Sequence, residues 1–265
     1  MTGDFRTYTG FHSSHLVVDH DIIVHLPPGY FVDDRRYAVL YLQDGQNLFD
    51  PATAYGGQEW RADETADMLI GSGKVEPLIL VGIYNAGHAR IDEYTASKDR
   101  SVGKGGHAHL YGRMLVEELK PFIDREYRTL PDRQHTGVGG SSLGGLVSLT
   151  IGLKYPDVFG KLAVMSPSVW WDHRAILRTV AACQVSSNGH TTHHFPRPRI
   201  WLDIGTAEGQ STTEDVRLLR DALAGKGWRD GLDLAYYEAD GAGHNERAWG
   251  DRVGPMLQFL FPSSP

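Results

Sequence analysis

A serine inside a glycine-rich pentapeptide is the residue of this chain whose surroundings most directly suggest chemistry. Ser142 is the centre of the run Gly140-Ser141-Ser142-Leu143-Gly144, a G-x-S-x-G pattern at the point where an apolar stretch gives way to helical spacing. Such a serine occupies a sharp turn between a strand and a helix, and the flanking glycines let the two elements pass without a Cβ clash. The pattern predicts a nucleophile. In a chain with 31 glycines the pentapeptide alone is weak evidence, so the partners of Ser142 decide the interpretation.

An acid and a histidine follow Ser142 in the order that a hydrolytic triad of this type requires. Residues 198–209 read as a strand that runs into a glycine-bounded loop, with Asp203 inside the strand and Glu208 beyond its end. A side chain in the loop reaches the crevice at the carboxyl ends of parallel strands, whereas one inside a buried strand points into a packed face. We therefore favour Glu208 as the acid. His244 follows the last predicted strand in a glycine-rich turn and is the expected base.

Each of the three residues also has an ordinary structural role open to it. Ser142 could be a helix N-cap, Glu208 a solvated loop carboxylate, and His244 a residue that caps its helix or satisfies a turn. Taken together, a Ser, acid and His in this order, each beside glycines at a strand end, favour a catalytic triad.

Strand and helix patterns alternate along the chain, which is typical of an α/β fold with a mostly parallel sheet and crossover helices. We expect a twisted sheet of about eight strands with helices on both faces, and an antiparallel edge formed by residues 1–26. The predicted helices are 111–127, bent or interrupted at Pro121, then 212–224 and 245–261, the last imperfect at Gly254-Pro255. The predicted strands are residues 16–26, 38–42, 78–83, 136–139, 162–165, 200–204 and 232–237.

The chain resembles the Putative esterase family of α/β-hydrolases, which includes enterochelin, feruloyl and acetylxylan esterases, esterase D and the mycolyltransferases. The resemblance implies the α/β-hydrolase fold and places the acid on Glu208. The segments that carry it are Leu40 to Phe49, Val81 to Asn85, Arg90 with Glu93 and Tyr94, the Gly140 to Gly145 elbow, Met165 to Trp171, Gly205 to Glu208 and Gly243 to Asn245.

The expected chemistry is acyl transfer through the serine. A serine hydroxyl is a poor nucleophile near neutral pH, so His244 must take its proton while Glu208 orients and stabilises the imidazolium. The tetrahedral oxyanion needs preorganised donors, each worth roughly 3 kcal/mol. One is the backbone N–H of Leu143, directly after the nucleophile. The resemblance assigns the other to the backbone N–H of Gln46.

Length, composition and charge fit one enzyme domain over residues 1–265. The 265 residues are 41% hydrophobic, and the formal net charge is −7 without a basic cluster, which argues against nucleic acid or an anionic membrane as a partner. No apolar run approaches the length of a membrane span. The expected partner is a small-molecule ester, with no cofactor and no metal. The oligomeric state is left open.

The start of the chain and its cysteine content bear on the compartment. The single Cys183 excludes an internal disulfide, and residues 1–6 lack a basic-then-apolar signal. A cytoplasmic location is the default expectation, although a removed leader would leave the same start.

Several residues are candidates for substrate binding. Trp170 and Trp171 follow the strand after the elbow helix, so at least one should lie near the crevice, while Trp60 and Tyr84 are weaker candidates from other loops. Aromatic rings line sites for sugars or aryl groups, but each is as easily a core residue. Arg90 could bind an anionic substrate group or, as we favour, pair with Glu93 or another structural acid.

A cluster of histidines, His190, His193 and His194, suggests a metal site only weakly. The loop that holds them contains no carboxylate or cysteine partner, so we expect no metal there.

Three functions are compatible with these residues: a carboxylic-ester hydrolase acting on a small acyl, aryl or siderophore-type ester, an acyltransferase that uses the same triad, and a non-catalytic binding protein on a hydrolase scaffold. The complete triad disfavours the third. The sequence does not separate the first two.

Overall fold

The computed structural model describes residues 3–183 and 197–263. Its strands are β1 (Asp4–Phe11), β2 (His20–Leu26), β3 (Ala38–Gln43), β4 (Leu78–Ile83), β5 (Lys98–Asp99), β6 (Lys104–Gly105), β7 (Thr136–Ser141), β8 (Lys161–Met165), β9 (Arg199–Gly205) and β10 (Leu234–Ala239). An eight-stranded sheet runs through the centre in the order β1-β2-β4-β3-β7-β8-β9-β10, and β5 and β6 form a separate two-stranded sheet.

The sheet is parallel from β4 to β10 and antiparallel at the β1 edge, as the sequence predicted. β2 runs antiparallel to both β1 and β4, whereas β3, β4, β7, β8, β9 and β10 pair in parallel. The first predicted strand was placed too early, at residue 16. Phe11 pairs with His20, so the residues between them form the connection and the second strand begins only at His20.

Helices cover both faces of this sheet, because alternate strand residues point to opposite sides and both sides are apolar. The helices are α1 (Ala62–Gly71), α2 (Arg90–Glu93), α3 (Ala108–Arg113), α4 (Lys120–Glu126), α5 (Leu143–Lys154), α6 (Trp171–Ala182), α7 (Gln210–Gly225) and α8 (Glu246–Leu260). In β3, Leu40 and Leu42 pack into one core with α1 and α8, while Val39 and Tyr41 pack into the other with α3 and α5.

The two imperfect helices are irregular in different ways. A π-helical segment, Met114–Leu119, lies between α3 and α4, and Pro121 stands at the start of α4. The irregular segment therefore comes before Pro121. A proline is tolerated at the start of a helix, because its missing N–H costs no hydrogen bond inside the helix. Pro255 lies inside α8. Over the described residues, no helix has the length and apolar character needed to cross a bilayer.

Six loops meet at one edge of the sheet because their strands are parallel and end there. They follow β3, β4, β7, β8, β9 and β10, and they contain the residues from which the candidate site is built.

The helix that begins at the elbow packs against the sheet through a glycine. A Cβ on Gly152 of α5 would lie 2.2 Å from Cδ2 of Leu162, which is fully buried. Gly152→Ala is therefore expected to lower the free energy of unfolding by about 1–3 kcal/mol, the usual cost of overpacking, as measured by urea denaturation.

Gly225→Ala is the matched control, because Gly225 also lies in a helix but a Cβ there meets no atom within 4 Å. It should be neutral or stabilise by up to about 1 kcal/mol, since alanine is the better helix former. Equal effects of the two substitutions would contradict the packing argument.

Candidate active site

Ser142 occupies a strained turn between β7 and α5. Its backbone has φ 57° and ψ −124°, and its side chain makes no capping hydrogen bond to the helix, so it is not an ordinary N-cap. A Cβ on Gly140 would lie 2.9 Å from Cβ of Gln43, which explains the glycine on that side. Strained positive-φ residues persist only where the surroundings hold them, and they concentrate at functional sites.

Ser142, His244 and Glu208 form a hydrogen-bonded row. Nε2 of His244 lies 3.0 Å from Oγ of Ser142, and its Nδ1 lies 2.6 Å from Oε2 of Glu208. The His244 side chain is 43% exposed, while that of Glu208 is fully buried. The structure thus brings together three residues that are up to 102 positions apart in the chain, with the imidazole between a hydroxyl and a carboxylate.

The Glu208 carboxylate is buried but well supplied with donors. Its Oε1 accepts a hydrogen bond of 2.6 Å from the hydroxyl of Ser166 and one of 2.9 Å from the backbone N–H of Gly205. Burial pushes the pKa of Glu208 upward, but the hydrogen bonds from His244, Ser166 and Gly205 outweigh it, so this pKa lies below its usual value. The side chain is held as the carboxylate that can orient His244.

Asp203, the alternative acid, is a structural residue of β9. Its oxygens accept hydrogen bonds from Nε1 of Trp201 at 2.7 Å and from the backbone N–H of Ser166 at 3.1 Å, and Nη2 of Arg252 lies 3.1 Å away. Burial raises the pKa of Asp203 to about 6 in spite of the Arg252 guanidinium. The carboxylate that contacts His244 is that of Glu208, as the strand-end argument favoured.

Ser166 joins these acids to the helix behind them, and sequence reasoning gave it no role. Its hydroxyl donates to Glu208 while accepting from Nε1 of Trp249 at 3.0 Å and Nη2 of Arg252 at 2.8 Å. The same Nη2 lies 3.1 Å from Asp203. Ser166 has φ 41°, a conformation that costs energy for a non-glycine residue. The only sequence signal was the Ser-Pro-Ser segment after β8.

The expected oxyanion donors lie in the two loops nearest Ser142. Leu143 provides the first N–H of α5, a position with no acceptor inside the helix. Gln46 lies in a 3-10 turn, Gly45–Asn47, directly after β3. A Cβ on Gly45 would lie 2.6 Å from the carbonyl carbon of Gly82, so glycine is needed for this turn to pass over β4.

A cleft of about 320 Å³ opens in front of Ser142, and most of its lining residues have polar side chains. Of the residues proposed for substrate binding, Arg90 lines it, whereas Trp60, Tyr84, Trp170 and Trp171 are not among its described lining residues. The lining residues are Asp44, Gln46, Asn47, Tyr55, Asn85, Arg90, Ser141, Ser142, His244, Glu246 and Trp249.

The Trp170-Trp171 pair, of which at least one ring is expected near the crevice, is not among the described lining residues of this cleft. Trp170 is 52% exposed and Trp171 only 4%, and Nε1 of Trp171 donates to the carbonyl of Ser97 at 3.0 Å. Trp171 instead lines a separate cavity of about 230 Å³. The segment that reaches the nucleophile comes just before the pair, since the Ser168 hydroxyl lies 3.2 Å from that of Ser142.

Trp60 and Tyr84 are likewise not among the described residues that line the cleft. Trp60 is almost fully buried and packs against Trp249 at a ring distance of 6.2 Å. Trp249 in turn meets the His244 ring edge-on at 4.8 Å, so Trp60 supports the site from behind. The carbonyl of Tyr84 is hydrogen-bonded to the His20 ring at 2.7 Å, which ties this backbone to β2.

Arg90 has the structural pairing that the sequence favoured, with Asp44 as its partner. Its Nε and Nη2 each donate to one Asp44 oxygen at 2.7 Å, and the amide of Asn85 donates to the same carboxylate at 2.7 Å. Although burial disfavours its charge, the Asp44 carboxylate raises the pKa of Arg90 further above its usual value. Such bidentate pairs are strong and fix geometry.

One acidic cluster among the described residues has carboxylate oxygens close enough to share a cation. Glu59, Asp63 and Glu64 have ligand atoms within 4.8 Å of one another. Burial raises the pKa of Glu64, and a hydrogen bond with Asp63 raises it further, so a shared proton also accounts for the arrangement. The histidines considered as metal ligands, His190, His193 and His194, lie outside the described residues.

The parallel sheet, its crossover helices and the serine elbow define an α/β-hydrolase fold, and a solved structure agrees. The BES protein from Bacillus cereus superposes with a TM-score of 0.77 at 22% identity, covering 98% of this chain and 96% of that one. The chain belongs to the family described as Putative esterase, which it matches over residues 13–260. The resemblance seen in the sequence is confirmed, and the protein is a carboxylic-ester hydrolase.

Two curated relatives illustrate how far the similarity extends. Uncharacterized protein YbbA of Bacillus subtilis (strain 168) is 27% identical over 262 residues, which cover 94% of this chain and 95% of the relative. Iron(III) salmochelin esterase of Escherichia coli O6:H1 (strain CFT073) is 27% identical over 230 residues, which cover 81% of this chain and 51% of the relative. The chain thus spans nearly all of the first and about half of the second.

The hydroxyl of Ser166 is expected to matter for both stability and activity. Ser166→Ala would leave Nε1 of Trp249 without its buried acceptor, leave Nη2 of Arg252 with Asp203 alone, and remove a donor from Glu208. We expect the free energy of unfolding to fall by about 1–3 kcal/mol, and ester hydrolysis to fall on the order of tenfold because Glu208 loses a positioning contact. Urea denaturation and steady-state kinetics measure the two effects.

Ser148→Ala is the matched control. Ser148 is equally buried, but its hydroxyl makes only a long contact of 3.5 Å with the amide of Gln43. Activity that falls equally in the two variants would show that the Ser166 hydroxyl has no particular role in the site.

Proposed function

We propose that the protein cleaves small carboxylic esters through an acyl-enzyme on Ser142. The observation that carries the proposal is the hydrogen-bonded row in which His244 lies 3.0 Å from the Ser142 hydroxyl and 2.6 Å from the Glu208 carboxylate. A base within hydrogen-bond distance of the nucleophile, itself oriented by a third group, is the arrangement that nucleophilic catalysis requires.

In the acylation step, His244 accepts the Ser142 proton at Nε2 while Oγ attacks the ester carbonyl carbon. The carbonyl π electrons move to the oxygen, which becomes the oxyanion of a tetrahedral intermediate. The backbone N–H groups of Leu143 and Gln46 are the donors proposed for it. When the intermediate collapses, His244 returns the proton to the departing alkoxide, and the alcohol leaves.

In the deacylation step, His244 takes a proton from water, and the resulting hydroxide attacks the acyl carbon. Collapse of the second tetrahedral intermediate returns the proton to Ser142 and releases the carboxylic acid. Throughout, Glu208 remains ionised and balances the imidazolium charge, which fits a carboxylate whose hydrogen bonds lower its pKa.

The cleft supports a small substrate. Its volume of about 320 Å³ is at the lower end for small-molecule sites. The relative named Iron(III) salmochelin esterase supports a small-molecule ester as the substrate class.

Hydrolysis and acyl transfer share the acyl-enzyme and differ in the acceptor of the acyl group. Turnover of p-nitrophenyl acetate with and without added methanol tests which acceptor the enzyme uses. Free acetate as the main product favours hydrolysis, and methyl acetate favours transfer.

Removal of the nucleophile is the first test. Ser142→Ala should fold normally, lose covalent labelling by an organophosphonate, and lower hydrolysis of p-nitrophenyl acetate by at least about 10⁴-fold, because only the attacking oxygen is deleted. Ser141→Ala, at the buried neighbouring serine, is the control and should still be labelled. Mass spectrometry that finds the adduct on Ser141 would refute the assignment.

The second test compares the two acids. Glu208→Gln should slow acylation by about 10²- to 10⁴-fold with little change in melting temperature, because the histidine loses its orienting charge. Asp203→Asn should retain more activity but lower the melting temperature, since Arg252 would lose a buried ionised partner. Single-turnover rates and thermal denaturation measure both effects, and the reverse ranking would reassign the acid.

A further inference from the structure

The charges that face the cleft do not cancel. Three of its described lining residues, Asp44, Arg90 and Glu246, carry formal charges at neutral pH when His244 is neutral. Arg90 forms a two-pronged pair with Asp44, so these two charges compensate each other locally. The carboxylate of Glu246 is left as the charge that a substrate in the cleft would meet.

Glu246 is held in place by its helix and by a hydrogen bond. It is the first residue of α8, whose N-cap is Asn245, and its Oε1 accepts a hydrogen bond of 3.2 Å from the amide of Asn47. The helix N-terminus and the amide donor favour a carboxylate at this position, while partial burial and the nearby Asp44 carboxylate raise the pKa of Glu246 above its usual value. Within the described part of the chain, Glu246 forms no ion pair, and its side chain is only half buried.

The other polar groups of the cleft are neutral. Asn47 and Asn85 present amides, and Tyr55, which is 79% exposed, presents an aromatic ring at the cleft. The Asn85 amide is already bonded to Asp44, so it does not offset the charge of Glu246. An anionic group bound beside Ser142 would therefore be repelled by the Glu246 carboxylate. It would gain little attraction from Arg90, because that guanidinium is already paired with Asp44.

We propose that Glu246 is a specificity-determining residue that disfavours anionic esters and favours esters whose leaving alcohol is neutral or cationic. The inference rests on the proposed serine esterase activity and names the charge class of its substrate. Repulsion in a partly solvated cleft is moderate. A separation of about 8 Å at an effective dielectric constant of about 40 corresponds to roughly a fivefold change in rate.

The test uses three acetate esters that differ in leaving-group charge: phenyl acetate, 4-acetoxybenzoate, which is anionic, and 3-acetoxy-N,N,N-trimethylanilinium, which is cationic. Values of kcat/KM are measured for the wild type and Glu246→Gln, and each is expressed relative to phenyl acetate. The substitution should raise the relative value for the anionic ester about fivefold and lower that for the cationic ester by a similar factor. Both changes should shrink at high salt, because the charges are screened.

Two controls keep the outcome interpretable. Glu126→Gln removes a charge from an exposed residue at the end of α4, far from the cleft loops, and should leave both ratios unchanged. Glu246→Lys should shift them further in the same directions as Glu246→Gln. A purely structural role for Glu246 would change kcat/KM equally for the three esters, because helix damage does not depend on substrate charge.

The proposal is overturned if the ratios in Glu246→Gln equal those of the wild type while phenyl acetate hydrolysis is present and is abolished by Ser142→Ala. That result would leave the serine esterase function standing. Phenyl acetate hydrolysis that survives Ser142→Ala would overturn the proposed function and this inference together.

Discussion

The buried carboxylate of Glu208 is the constraint on which the rest of the site depends. A charge removed from water is costly unless donors replace the lost hydration, and here one imidazole, one hydroxyl and one backbone N–H do so. Trp249 and Arg252 donate to the oxygen of Ser166, which leaves the single proton of this hydroxyl for Glu208. Its positive φ is the local cost of aiming that hydroxyl at Glu208.

This network also explains why two acids lie close together without sharing a role. Asp203 is held inside β9 and receives donors from the backbone and from Trp201 and Arg252, so it supports the loop that carries Ser166. Glu208 stands beyond the strand end, where its second oxygen is free to meet His244. Asp203 therefore supports the site from inside β9, whereas Glu208, beyond the end of β9, contacts the imidazole.

The sheet brings these loops together, and close packing sets where each one passes. The turn at Gly45 crosses β4 at a distance that excludes a Cβ, and Gly140 lets the elbow lie against Gln43. Most lining residues of the cleft above have polar side chains, and among them the Glu246 carboxylate, which forms no ion pair with any described residue, accompanies the ion pair of Asp44 and Arg90. The same edge of the sheet thus holds both the candidate catalytic row and the groups that a substrate would meet.

The sequence by itself determined the α/β fold, the antiparallel edge and the family, because alternating apolar periods and glycine-bounded strand ends are local signals. It also indicated Ser142, Glu208 and His244, since each follows a strand whose end is marked by glycine; their catalytic roles stay predictions. Tertiary structure alone decided which side chains face the cleft. Where the rings of Trp170 and Trp171 lie depends on how the chain turns after Ser168, which no periodicity encodes. Asp44, Ser166 and Arg252 acquire their roles from partners as many as 86 positions away, and contacts over such separations are made by packing, not by local sequence.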